Sequence, residues 1–182
     1  MNSPARFAQA DTKARFTLDE FVRIHESGAL GDSRLELVDG EIERMSPAMG
    51  THFGYQGDVF AGLLGAVGQR AVVEAGIDLG EATMLACDVA VLHAPMRERR
   101  FLQPGEVLLA IEVADTTLDR DLGWKRHRYA DAGIAHYWVV DTQRSVVHVF
   151  GQPAGGDYLG LELVPFGQPL AVPGSDATIT LS

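Results

Sequence analysis

The chain has 182 residues, with 15 Lys and Arg against 25 Asp and Glu and a formal charge of −10 at pH 7. One domain of this length buries roughly 70% of the surface its unfolded chain exposes, so it needs no metal or disulfide staple. With 46% hydrophobic and 22% charged residues, disordered and collagen-like chains are excluded. The charge also argues against a generic nucleic-acid coat protein, whose binding rests on Lys and Arg displacing counterions.

The single cysteine, Cys87, forms no internal disulfide, which favours a reducing compartment. No apolar run approaches the roughly 18 to 20 residues of a membrane span, and the polar start lacks a signal-peptide core. A cytoplasmic soluble protein is expected, with a flexible arm over residues 1–15 and one domain over 16–182.

Thr17 and Glu20 have the spacing of a capping box, followed at helical intervals by Leu18, Phe21 and Val22, which predicts a short helix ending near Gly28. Residues 34–38 and 41–45 flank Asp39-Gly40, a dipeptide suited to a two-residue hairpin turn. The spacing of Phe53, Phe60, Leu63, Leu64 and Val67 predicts a helix over 51–70. Gly54, Gly57, Gly62 and Gly65 weaken its propensity, so it needs tertiary packing. Strands are expected at 71–74, 82–86, 88–92 and 107–113, the last apolar except for Glu112. A helix over 118–132 stops at Gly133, with Asp115, Thr116 and Thr117 expected to cap it. Strands at 137–140 and 146–150 flank a turn, a weaker strand lies near 159–164, and Gly155-Gly156 reads as a loop. The fold class is α/β (α+β), a mixed central sheet flanked by helices with additional β-hairpins.

Three charged residues break this pattern. Asp88 opens one expected strand and Glu112 sits near the end of another. An ionised carboxylate buried without a partner costs several kcal/mol, so each demands a partner, a raised pKa or a cation. Antiparallel pairing would make them neighbours, and a divalent ion such as Mg²⁺ or Mn²⁺ would relieve their repulsion. The alternative is that both lie at solvated strand ends, paired with Arg97, Arg99 or Arg100. Lys125 lies in the middle of the helical stripe Leu118, Leu122, Tyr129, Ala132, with Asp121 on its flank. It either faces inward or forms an i,i+4 ion pair with Asp121. Two carboxylates and an ammonium suit metal-assisted hydrolysis of a phosphodiester. The six histidines lack the spacing of a tetrahedral zinc site; for His52, capping or packing competes with an approach to the site.

With these residues in place, the chain resembles the Uma-two family of restriction-endonuclease-like proteins, a branch of the PD-(D/E)xK nuclease superfamily. The resemblance rests on residues 35–42, His52, Asp88-Val89-Ala90-Val91 and above all the block from Ile111-Glu112-Val113-Ala114-Asp115-Thr116-Thr117 through Asp121, Lys125, Tyr129 and Tyr137-Trp138-Val139-Val140-Asp141. It implies a restriction-endonuclease-like core and a Mg²⁺- or Mn²⁺-dependent endonuclease acting on DNA. By that resemblance Asp88 and Glu112 are metal ligands, Lys125 is the catalytic lysine displaced onto the helix, and Glu36 is an additional catalytic acid. The superfamily's usual lysine position is Ala114 here. Cys87 stands where the family has proline, and His136 where it often has glutamate. A homodimer is expected, since a duplex has two strands to cut. DNA would have to meet a local basic patch, with Arg97, Arg99, Arg100, Arg126 and Arg128 the first candidates. The competing reading is a non-catalytic binding or assembly homodimer that keeps the nuclease fold, which the acidic charge favours.

Overall fold

The computed structural model describes residues 13–31, 34–45 and 50–182; most of the expected N-terminal arm lies outside them. Helix α1 (Leu18–Glu26) begins with the expected capping box between Thr17 and Glu20 and buries Phe21. The hairpin β1 (Leu35–Val38) and β2 (Glu41–Arg44) closes through Asp39 at φ 49 and Gly40 at φ 82, the two positive angles such a turn requires. Helix α2 (Gly50–Val67) follows. One of its glycines has a packing reason: a Cβ on Gly62 would lie 3.1 Å from Ile179 Cγ2, so the missing side chain admits Ile179.

The central strands differ from expectation. Instead of three short strands, residues 71–92 form one long hairpin, β3 (Ala71–Gly80) and β4 (Thr83–Leu92), turning at Glu81 and Ala82 with φ 47 and 56. Such a turn usually announces itself by Asn or Gly, and here it does not. Asp88 therefore lies within a strand rather than opening one. Strand β5 (Val107–Ala114) leads to a helical segment of α3 (Leu118–Arg120), a π-helical stretch (Asp121–Lys125) and α4 (Arg126–Asp131). The chain then forms β6 (His136–Asp141), β7 (Val146–Ala154) and β8 (Asp157–Pro165), with Gly155-Gly156 in the β7–β8 turn, and a short ribbon of β9 (Leu170–Ala171) and β10 (Thr178–Ile179).

The mixed sheet has the order β2-β1-β4-β5-β6-β7-β8, with β3 also on β4. Among the strands of the described residues only β5 and β6 pair parallel, which the intervening helical crossover permits; one isolated parallel bridge joins Ile77 to Leu102. One face carries Val59 and Leu63 of α2 together with Leu170 and Ile179, and the other carries Tyr129, Ala130 and Ile134. A third cluster joins Phe21 to Leu35, Leu37 and Met84. No helix among the described residues is long and apolar enough to cross a membrane.

One feature of β4 positions the candidate site. Strand β3 pairs along one of its edges, while the other edge is shared by β1 at Leu37↔Met84 and by β5 from Val89↔Ile111 to Leu92↔Val107. Between these ladders the sheet forks, and residues 85–88 carry no ladder pair on that side. The pleat also reverses there. Leu85 and Cys87 belong to the same core layer as Ala90 and Leu92, an odd-to-even change across Asp88. The facing residue Glu74 has φ 51 and drops out of the β3–β4 register. Such irregularities re-aim side chains.

Candidate active site

The fork gathers the four charged residues singled out in the sequence. Glu36, Asp88, Glu112 and Lys125 are 0%, 4%, 3% and 3% exposed, so none is a solubilising surface charge. The solvated-end alternative for Asp88 and Glu112 is excluded: Arg97 bonds Gln69, Arg99 pairs with Glu26, and Arg100 pairs with Glu98 and Glu106.

Asp88 extends toward β5, where its Oδ2 accepts the Val113 N–H at 2.8 Å. Its Oδ1 lies 3.1 Å from His52 Nε2 on the first turn of α2 and 3.6 Å from Arg34 Nη2. Gln56, one turn further along α2, donates to the Asp88 backbone carbonyl at 3.0 Å. Burial alone would raise the Asp88 pKa, but the His52 hydrogen bond and charge, the Val113 N–H and Lys125 outweigh it and hold the carboxyl below its ordinary value. That same hydrogen bond raises His52, against the opposing effect of burial.

Glu112 projects from β5 beneath the helical crossover. Lys125 Nζ donates to its Oε1 at 2.9 Å, and Tyr129 OH donates to the same oxygen at 2.9 Å. Among the described residues no hydrogen bond falls on Oε2. Burial pushes the Glu112 carboxyl well above its ordinary range, with Asp88, Asp121 and Glu36 adding repulsion that Lys125 only partly offsets. Burial would lower Lys125, but Glu112, Glu36 and Asp121 together reverse the sign and hold its ammonium above the ordinary value.

The π-helical stretch explains how Lys125 and Asp121 are both buried. Its wider turn departs from the 100° step that the sequence reading assumed, and such bulges recur at functional sites. Tyr137 OH satisfies the Asp121 carbonyl at 3.0 Å. Of the two alternatives for Lys125, the i,i+4 ion pair with Asp121 is not formed, and the ammonium faces inward to Glu112 and Glu36. Asp121 accepts from Thr117 Oγ1 instead, so Thr117 occupies the cap position without making a side-chain cap bond.

Glu36 is saturated. Its Oε1 accepts from Ala86 N–H at 3.2 Å and lies 3.0 Å from Lys125, while its Oε2 accepts from Arg120 at 2.8 Å. Arg120 and Arg128 flank the Trp124 ring at 5.4 and 5.2 Å and reach Glu43 and Asp39, pinning the crossover onto the β1–β2 hairpin.

Arg34, Gln56 and Arg120 were not found by sequence reasoning. Each looks like an ordinary polar residue beside an apolar segment, and their partners lie 32 to 84 positions away. The expected basic patch does not appear as free charge. Besides the three arginines already paired, Arg126 binds Asp157 and Arg128 binds Asp39. Among the described residues no group of three or more His, Cys, Asp or Glu side chains is arranged to hold a metal. Asp88 and Glu112 supply hard oxygen donors, which suit a cation that keeps most of its waters.

A mixed sheet forked around buried carboxylates and a lysine belongs to the restriction-endonuclease-like class of nuclease folds. The chain is a member of the Uma2 family, whose model carries the description "Putative restriction endonuclease" and matches residues 18–181. It is similar in fold to a crystal structure described as a putative nuclease belonging to DUF820 from Anabaena variabilis. The TM-score is 0.68 with 19% identity, covering 91% of this chain and 94% of that one. No curated protein matches.

Proposed function

We propose that the chain is a divalent-metal-dependent endonuclease that hydrolyses DNA phosphodiester bonds. Asp88 and Glu112 are its metal ligands, Lys125 its electrostatic catalyst and Glu36 the anchor that aims the lysine. The observation that carries this reading is the buried Lys125 ammonium, 2.9 Å from Glu112 and 3.0 Å from Glu36 beside the uncovered stretch of β4.

The donor set fits Mg²⁺ or Mn²⁺, which bind through one or two carboxylates and complete their shell with water and phosphate. When bound, such an ion polarises the scissile phosphate and lowers the pKa of its water. Asp88, ionised at neutral pH, supplies a standing negative charge. Tyr129 and Lys125 fix Oε1 of Glu112 and leave Oε2 as its open donor. Lys125 keeps its proton in the electric field of three acids, so it works as a fixed positive charge and donor rather than as a base. An ammonium has three N–H groups; with Glu112 and Glu36 facing two of them, one is left for the phosphate or the attacking water. Glu36, with both oxygens occupied, holds Lys125 in place.

A second reading, a non-catalytic binding homodimer, draws support from the −10 charge and from the pairing of the expected patch arginines with acids or an amide. Plasmid nicking separates the two. Purified protein nicks supercoiled DNA with Mg²⁺ or Mn²⁺, and folded Asp88→Asn and Lys125→Met variants lose at least about 100-fold, the scale of an electrostatic catalytic group. Undiminished cleavage by both variants removes the site assignment. Failure to cut DNA or RNA across a metal screen favours the binding protein.

A further inference from the structure

A cavity of about 320 Å³ opens beside the fork, within the range of ligand pockets. Its floor is apolar, formed by buried Phe21 and Met84 together with Phe101, while Arg34, Glu74 and His25 stand at its rim. The Phe21 and Phe101 rings lie 6.2 Å apart and His25 stacks on Phe21 at 6.2 Å. Gly76 gives the Phe101 ring its place, since a Cβ there would lie 2.7 Å from it.

Arg34 connects this cavity to the candidate active site. One guanidinium nitrogen is 3.6 Å from Asp88 and the other is 3.6 Å from Glu74. Its Nη2 is buried without a hydrogen bond. Glu74, at φ 51 in the middle of a strand, is the kind of strained residue that clusters at functional sites. A larger cavity of about 500 Å³ also borders Phe101, but its Arg99 and Arg100 are already paired with Glu26, Glu98 and Glu106, and Asp19 and Asp78 add negative charge that disfavours phosphate.

We propose that the 320 Å³ cavity receives one unpaired nucleobase of the substrate. The base stacks on Phe101 and His25, over the buried Phe21 that supports both rings, and its own phosphate lies toward Arg34. Arg34 donates to the phosphate, and Glu74 accepts from a ring N–H or amino group. The inference rests on the nuclease reading and deepens it. A chain of charge −10, with the expected patch arginines already paired, has little capacity to grip a duplex by counterion release. Aromatic stacking is uncharged, tolerates any base and is available where the base is already out of its helix. Substrates are therefore single strands, bulges or unpaired positions, including those that supercoiling opens in a plasmid, rather than relaxed intact duplex.

The test uses the full chain in Mg²⁺ with phosphorothioate oligonucleotides that resist cutting, read by fluorescence anisotropy. A duplex with one bulged nucleotide binds roughly tenfold tighter than the same duplex with an abasic bulge, the ratio expected for one base–aromatic stack. Phe101→Leu, which keeps apolar bulk but removes the ring, reduces that ratio to about twofold without lowering the melting temperature by more than a few degrees. Arg34→Gln weakens both bulged duplexes and leaves the ratio standing. Equal affinity for base and abasic bulges, or an unchanged ratio in Phe101→Leu, overturns the proposal. The ratio is independent of turnover: a ratio of ten without cleavage keeps the pocket and removes the nuclease, whereas cleavage with a ratio of one removes only the pocket.

Discussion

Replacing Lys125 with methionine separates stability from chemistry. Lys125 lies 2.9 Å from Glu112 and 3.0 Å from Glu36. At an effective dielectric constant near 20 each contact amounts to about 6 kcal/mol of gross attraction, set against several kcal/mol for desolvating the ammonium. Methionine fills a similar volume but leaves the carboxylates uncompensated, and breaking such a buried pair costs about 3–5 kcal/mol. Without Lys125 the buried Glu112 can take up a proton instead of remaining an unpaired charge, as its burial favours, so the lower end applies. About 3 kcal/mol lowers Tm by roughly 6–12 °C at this chain length. Adding Glu112→Gln removes the stranded charge and recovers at least about 1 kcal/mol, because neutral replacement of both partners is often benign. Glu36 keeps Arg120 and the Ala86 N–H in either variant. Urea unfolding with unchanged m-values reads both numbers. A Lys125→Met loss below about 1 kcal/mol, or a double variant as unstable as the sum of the singles, refutes the reasoning. The double variant, although the more stable, stays inactive in plasmid nicking.

Three further outcomes test other parts of the molecule. Gly40→Ala places a Cβ at φ 82, 3.0 Å from Arg15 Cβ and 3.2 Å from the Phe16 carbonyl oxygen. It destabilises by about 1 kcal/mol or more; a neutral effect in urea unfolding contradicts the hairpin geometry. The Arg100 hydrogen bond and the Gln103 N–H depress the Glu106 carboxyl to about 2 from its ordinary 4.5. Its stabilisation is therefore full above about pH 4.5 and is lost as pH falls toward 2. Carboxyl-carbon NMR finds the low midpoint, which rises in Arg100→Gln; an ordinary midpoint in the parent protein contradicts the pairing. Burial first, then Glu112 and Asp88, push the Cys87 thiol above its ordinary value. It resists alkylation in the native protein and reacts only on unfolding, whereas rapid native labelling contradicts its packing.

Local signals carried much of this fold into the sequence. Thr17 and Glu20 satisfy each other across one helical turn, and Asp39-Gly40 supplies a turn whose angles few other dipeptides accept. Glu112 stood out because a carboxylate in an otherwise apolar strand needs a reason. The β3–β4 turn was hidden, because Glu81 and Ala82 adopt positive φ through tertiary constraint rather than intrinsic preference. The π-helical stretch was hidden as well, since hydrophobic periodicity assumes a constant step per residue. It decides that Lys125 meets Glu112 and Glu36 rather than Asp121. His52, Arg34 and Arg120 reach the site only through long-range pairing, which no local pattern encodes.

In the proposed function the sheet's fork holds a divalent cation between Asp88 and Glu112. Electron paramagnetic resonance of Mn²⁺ titrated into the protein measures this without relying on turnover. Mn²⁺ is expected to bind at the fork of the parent protein, with that binding lost in Asp88→Asn and in Glu112→Gln while both variants remain folded. Equal Mn²⁺ binding by the parent and both variants, or no binding at all, contradicts it.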